Sequence, residues 1–171
     1  MAHRFLLFCN IGVITNMLVE LEGRSFATPQ EEQWLAQARV SLANERSATP
    51  AQVQWIARTF RSIWADEAKH GWNWFANDER GAPVGFATYE QREHRWWWLA
   101  RWLSQHDVGI FGPMGVHKSM RGQHIGAIVL RRALDSLQQR GFRRAVIPAV
   151  GPIKFYERWC GATVVECLPR P

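Results

Sequence analysis

The sequence predicts an α/β fold, and three observations carry that prediction. Residues 109–166 read as strand, loop, helix, strand, helix, strand; two Thr-Pro pairs open helices with matching start chemistry; and residues 72–89 read as a hairpin. At 171 residues the chain is expected to form one domain over 1–171, with a strand and helical part over 1–70 and a core over 72–166. A chain of this length buries about two thirds of its unfolded surface, and a composition 47% hydrophobic and 12% aromatic supplies the material.

Phe5 to Val19 is largely apolar behind His3 and Arg4, as in a signal peptide, but Asn10 and Asn16 interrupt it and no small-x-small cleavage site follows. The stretch is too short to span a bilayer, so it is read as a first strand or a docked helix, with no membrane expected. Two helices follow. Thr28-Pro29-Gln30-Glu31 and Thr49-Pro50-Ala51-Gln52 each place a capping threonine, a proline at the first helical position and an acid or amide at the third. Trp34, Leu35, Ala38 and Leu42 form the apolar face of the first; Val53, Ile56, Phe60, Ile63 and Trp64 form that of the second. In the hairpin, residues 74–76 and 84–89 flank Asn77-Asp78-Glu79-Arg80-Gly81, which contains the glycine a longer hairpin loop needs.

Four of the chain's ten tryptophans, Trp96, Trp97, Trp98 and Trp102, fall within seven residues. Such a run makes a core under a long connection, a dimer surface or the aromatic wall of a pocket. Indole burial favours core, yet adjacent bulky residues cannot all point inward.

Residues 112–126 hold the chain's most specific pattern. Gly109 to Val116 is apolar enough for a buried strand, but Gly112, Pro113 and Gly115 interrupt a regular ladder and predict a bulge that leaves backbone groups unpaired. The loop Arg121 to Gly126 follows, with two glycines and an arginine ahead of a helix carrying Ile125, Val129, Ala133, Leu134 and Leu137 at helical spacing. Backbone N–H groups and the positive helix end converge there, a cradle that suits pyrophosphate. Arg140 in the last turn and Gly141 after it end the helix. Arg144 to Val150 reads as a short buried strand, and Gly151 to Trp159 as a helix ended by Gly161.

Residues 1–70 are electrically balanced, so the net charge of +6 arises wholly after residue 70. Lys118, Arg121, Arg131, Arg132, Arg140, Arg143 and Arg144 face one acid, Asp135, between residues 117 and 144. This clustering either steers an anionic ligand to the cradle or is a solvated helix face, to which Arg131, Arg132 and Arg140 are assigned. No intact aromatic RNA-binding motif, zinc spacing or helix-turn-helix is found, so neither nucleic acid nor metal is expected. Cys9, Cys160 and Cys167 are odd in number and show no CxxC spacing, which predicts reduced thiols in a cytoplasmic protein and Cys160 as filler.

In these residues the chain resembles the GCN5-related N-acetyltransferases. Their signature, Arg or Gln, two residues, Gly, one residue, Gly or Ala, falls on Arg121, His124 and Gly126, and the likeness runs over about residues 72–166 through "GFRRAVI" and "GPIKFYERWCGATVV". The resemblance implies the family's acyl-CoA N-acyltransferase fold: a mixed central sheet, splayed at the coenzyme strand and flanked by helices on both faces. It implies acetyl-CoA as cosubstrate, with Met114, Gly115 and Val116 along the pantetheine arm and Arg121, Gly122, Gln123, His124, Ile125 and Gly126 at the pyrophosphate. Tyr156 falls where many members place a tyrosine beside the coenzyme sulfur. The chain extends little beyond Val165, so the family's last strand is expected to be missing or very short; either the sheet ends early, or a partner chain completes it in a homodimer. His124 stands where the signature has glycine. An imidazole there either points outward and donates to phosphate or narrows the site; a staggered χ1 suffices to leave the loop.

The resemblance implies acetyl transfer to a primary amine of a small molecule or peptide, or a catalytically silent binder of coenzyme A or of a protein partner. A primary amine with a pKa of about 10 must lose a proton before attack. Glu90, Glu93, His94 and His117 are the candidate bases, the N–H of Met114 or Val116 the candidate oxyanion donor, and Tyr156 the candidate acid for the departing thiolate.

Overall fold

The computed structural model describes residues 13–90 and 97–169. The chain-order elements are β1 (Val13–Glu20), α1 (Gln30–Ala38), β2 (Ser41–Arg46), α2 (Pro50–Thr59), α3 (Ser62–His70), β3 (Trp72–Asn77), β4 (Pro83–Tyr89), α4 (Ala100–Leu103), β5 (Val108–Val116), α5 (Ile125–Gln139), β6 (Arg144–Ile147), α6 (Ile153–Cys160) and β7 (Thr163–Pro169). The sheet has seven strands in the order β2-β3-β4-β5-β6-β1-β7, antiparallel except for β5 beside β6. Helices cover both faces, as expected. Ile128, Leu130, Leu134 and Leu137 of α5 belong to the core that includes Ala87, Phe111 and Ala145, whereas Ile56, Ala65 and Ala68 of α2 and α3 cluster with Phe75 and Phe86. Facing Phe75 and Phe86 on paired strands extend one apolar surface across the sheet.

Of the N-terminal stretch, residues 5–12 lie outside the described residues; the described part, Val13–Glu20, is strand rather than helix, and its position corrects the expectation for the end of the sheet. β1 lies between β6 and β7: Met17 is opposite Ile147 on one side and Val164 on the other. The chain's own first strand therefore completes the sheet where a truncated edge or a partner chain was expected. Period-two burial explains the fit, since Met17 and Val19 face the α5 core while Leu18 packs with Ile110 and Val146 on the other face.

Two helix boundaries differ from the sequence reading. The first helix ends at Arg39, a non-glycine residue with φ 53°, and the chain enters β2, which contains Leu42. The second breaks at Phe60 (φ −127°, ψ −93°) without glycine or proline, so Ile63 and Trp64 belong to α3. The matching helix starts also diverge. Thr49 forms a full capping box with Gln52, whereas α1 has no side-chain cap and Thr28 Oγ1 accepts from Arg131.

In the tryptophan-rich connection, Leu99 and Trp102 are buried against Val108, Ile110 and Val146, the core reading of that segment. Trp102 Nε1 donates to Glu166 Oε2 at 3.0 Å, Asn16 Nδ2 donates to the same oxygen at 3.0 Å, and Arg101 lies 3.3 Å from Oε1. Glu166 on β7 thus ties β1 and α4 together. Burial raises its pKa, but the hydrogen bonds from Trp102 and Asn16 and the charge of Arg101 outweigh burial and hold it below the ordinary carboxylate value. A depressed carboxylate pKa stabilises the fold above the unfolded pKa, and this contribution is lost as pH falls through the folded value. Glu166→Gln is therefore expected to lower the melting temperature near pH 7 and to flatten its decline below about pH 4.5; parallel pH profiles for the two proteins would contradict this role.

Candidate active site

The site is built where β5 leaves its neighbour. Val108, Gly109 and Ile110 pair in parallel with Arg144, Ala145 and Val146, and the pairing stops there. β5 continues along β4 alone, with Phe111 opposite Tyr89 and Met114 opposite Ala87, so three steps on β5 match two on β4. This is the expected bulge. Gly112 has φ 119°, a region glycine occupies without a Cβ clash, and Pro113 offers no N–H to a neighbouring strand.

Hydrogen-bond alternation fixes which amides face the opening. His117 N–H donates to Val84 O at 2.8 Å, making that facing pair the hydrogen-bonded kind; Gly115 opposite Phe86 is the next such pair. The N–H and C=O groups of Met114 and Val116 therefore point away from β4. Arg121 Nε, which donates to Val116 O at 3.4 Å, marks that side. Side chains alternate as well. A Cβ built on Gly115 would lie 2.6 Å from the Phe60 ring, while one on Gly126 would meet Met114, Val116 and Phe155 at 3.5–3.6 Å. The α2–α3 break thus lays Phe60 over one face of β5, and the start of α5 meets the other.

Gly122 (φ 83°) and His124 (φ 63°) turn the loop into α5. His124 is the helix N-cap but makes no side-chain cap bond, and the first-turn amides of α5 begin directly after it. The imidazole leaves the loop: it stacks on Trp34 at 4.3 Å with rings 19° apart and meets Trp159 edge-on at 5.6 Å. A side chain in the left-handed region costs about 1–2 kcal/mol, and a favourable aromatic pair returns about 0.5–1.5 kcal/mol. These magnitudes explain how histidine is accommodated in a conformation suited to glycine.

Tyr156 on α6 is buried, its ring edge-on to Phe111 at 6.3 Å, the residue where the strands part. Burial, with a smaller effect of Cys160, pushes its hydroxyl far above its ordinary pKa, so the group stays protonated. Cys160 is also buried; its thiol donates to Tyr156 O at 3.1 Å and is pushed up to about 11, chiefly by burial, which suits a packing residue rather than a nucleophile.

The candidate bases are not gathered. Glu90 forms an ion pair with Arg140 at the C-terminal end of α5, opposite the end that carries the Arg121–Gly126 loop, so its carboxylate braces β4 against α5. His117 Nδ1 is 2.7 Å from Ser119 Oγ and caps the turn at Lys118–Met120. Glu93 and His94 lie outside the described residues. The basic cluster is likewise largely structural. Arg131 and Arg132 pair with Glu31, Arg140 with Glu90, Arg143 with Glu22 and Arg144 with Asp107. Lys118 and Arg121, the two cations flanking the loop, have no ion pair among the described residues. Sequence reasoning missed Phe60 and Trp34, because their roles follow from a helix break and a ring stack that leave no local motif.

Residues 29–162 match the model of the acetyltransferase (GNAT) family. No curated protein matches the chain. Among solved structures, the GCN5-related glucosamine N-acetyltransferase region of a fungal multi-domain GH3 beta-N-acetylglucosaminidase is similar over 93% of this chain and 20% of that one, with 16% identity and a TM-score of 0.72. A tandem GNAT protein from the clavulanic acid biosynthesis pathway is similar over 94% of this chain and 52% of that one, at 15% identity and a TM-score of 0.63. YhbS from Escherichia coli, in complex with CoA, is similar over 71% of this chain and 67% of that one, at 20% identity and a TM-score of 0.51. The chain thus spans a fifth to about half of the first two solved chains it resembles.

The Phe60–Gly115 approach is directly testable. Gly115→Leu is expected to destabilise the fold by about 1–3 kcal/mol through overpacking, and Phe60→Ala in the same chain to recover part of the loss. Urea denaturation measures both, and an unchanged midpoint for Gly115→Leu would contradict the described contact.

Proposed function

The chain belongs to the acetyltransferase (GNAT) family, and from that membership we propose that it transfers an acetyl group from acetyl-coenzyme A to a primary amine. The observation carrying this reading is the segment of β5 that has left β6, whose Met114 and Val116 backbone groups point away from β4 on the side that Arg121 marks. A strand edge of this kind suits the amides of a pantetheine arm. Gly122, Gln123, His124, Ile125 and Gly126 would hold the pyrophosphate through backbone N–H groups, with Arg121 and Lys118 supplying positive charge. When bound, acetyl-coenzyme A supplies an acyl thioester, which needs little activation.

The remaining chemistry falls to this chain's residues. The Met114 or Val116 N–H would stabilise a developing oxyanion, and a preorganised donor of this kind contributes about 3 kcal/mol. The Tyr156 hydroxyl, kept protonated by burial, would donate a hydrogen bond toward the departing sulfur. With Glu90 engaged by Arg140, the amine proton passes to water. The acceptor is a small molecule or a peptide amine. Trp55, Phe60 and Trp64, partly buried on the α2–α3 face, would supply apolar area beside it.

Ligand-induced stability and turnover test the reading. Millimolar acetyl-coenzyme A is expected to raise the melting temperature by mass action, and Gly126→Leu, which presses into Met114, Val116 and Phe155, to abolish the shift. No shift in the unaltered chain would overturn coenzyme binding. A shift without turnover against polyamines, amino sugars, amino acids and peptide N-termini would mark a binder and not an enzyme. With an acceptor in hand, Tyr156→Phe is expected to lower kcat about a hundredfold while leaving the coenzyme KM nearly unchanged. Because burial raises the Tyr156 pKa, activity should also climb from pH 7 to 10 with amine deprotonation and show no descending limb from a tyrosine of ordinary pKa.

A further inference from the structure

We infer that Trp34, on a helix outside the signature loop, is a positioning residue: its stack on His124 holds the backbone turn that shapes the Arg121–Gly126 loop and thereby sets coenzyme affinity. The inference rests on the reading of that loop as the coenzyme site. His124 is the sole N-cap of α5 and adopts φ 63° without a side-chain hydrogen bond to the helix. What engages its imidazole is aromatic: the Trp34 ring 4.3 Å away and nearly parallel, and the Trp159 ring edge-on at 5.6 Å.

The platform is anchored to the helix it serves. Glu31, one turn before Trp34, is buried and pairs with Arg131 at 3.4 Å and Arg132 at 3.0 Å, both on α5. The segment entering α1 is fixed to the same helix, because Phe26 N–H and Ala27 N–H each donate to an Asp135 oxygen at 2.8 Å. Trp159 is tied in by the Arg131 guanidinium, 5.0 Å from its ring. Glu31 of α1 and Asp135 of α5 thus hold Trp34 in register with α5, and Trp34 holds the left-handed non-glycine residue at the helix entry. With glycine at 124 the turn would need no such support.

The test is a double-mutant cycle on Trp34 and His124, read by calorimetry with coenzyme A and by amide hydrogen exchange of residues 122–127 in the ligand-free protein. Trp34→Ala is expected to weaken binding about tenfold, equal to about 1.4 kcal/mol, and to speed exchange in the loop while Leu130 and Leu134 stay protected. Trp34→Phe should keep both properties near those of the unaltered chain. Adding His124→Gly to Trp34→Ala should return affinity to within about threefold of His124→Gly alone, a non-additivity expected only if Trp34 acts through His124. Additive losses, or a Trp34→Ala protein with unaltered loop exchange, would overturn the inference. Should the unaltered chain not bind coenzyme A, the coenzyme reading fails, and loop exchange in the ligand-free variants still decides whether Trp34 holds the turn.

Discussion

The site depends on one constraint: β5 can pair with β6 only as far as Ile110. Beyond it, Gly112 takes a conformation that shifts the register against β4, and Pro113 has no N–H to give a neighbour. A fully paired strand would bury its amides in the ladder. The splay instead leaves those of Met114 and Val116 available while β4 keeps the strand ordered, so the opening has one rigid wall. Tyr156 beside Phe111, Phe60 over Gly115 and the α5 entry beside Met114 all gather around this departure.

Electrostatics near the opening is narrower than the composition implies. A run of seven cations would create a broad attractive field, but five of them are matched by acids at residues 22, 31, 90 and 107. Positive charge then concentrates on Lys118 and Arg121 at the loop itself. The same pairing does structural work: Glu31, buried between two arginines, fixes α1 to α5. Its removal would leave Arg131 without this ion pair, while Arg132 keeps Glu32.

The parts legible in the sequence were those with local signals. Glycine and proline in β5, period-3.6 burial in α5 and glycine after α5 and α6 predicted elements that stand where expected. The capping box at Thr49 was likewise legible, whereas its twin at Thr28 was diverted by Arg131, a tertiary contact without sequence signature. β2 was hidden because α1 ends on a left-handed arginine instead of glycine, and the α2–α3 break because nothing at Phe60 marks it. Placement of β1 between β6 and β7 depends on pairing between distant segments, which periodicity cannot specify. For the candidate site, the loop, the bulged strand and Tyr156 were readable; the engagement of Glu90 by Arg140 and the stacking of His124 on Trp34 required the fold.

Met114 and Val116 turn their backbone groups away from β4 while Gly115 turns its own toward it, and coenzyme A is proposed to cover the first two. Residue-resolved amide exchange across β5, with and without coenzyme A, addresses it most directly. Fast exchange is expected at Met114 and Val116 in the free protein, with marked slowing at both on adding coenzyme A, and slow exchange at Gly115 in either state. Three amides equally protected without ligand, or an alternation left unmoved by saturating coenzyme A, would contradict it.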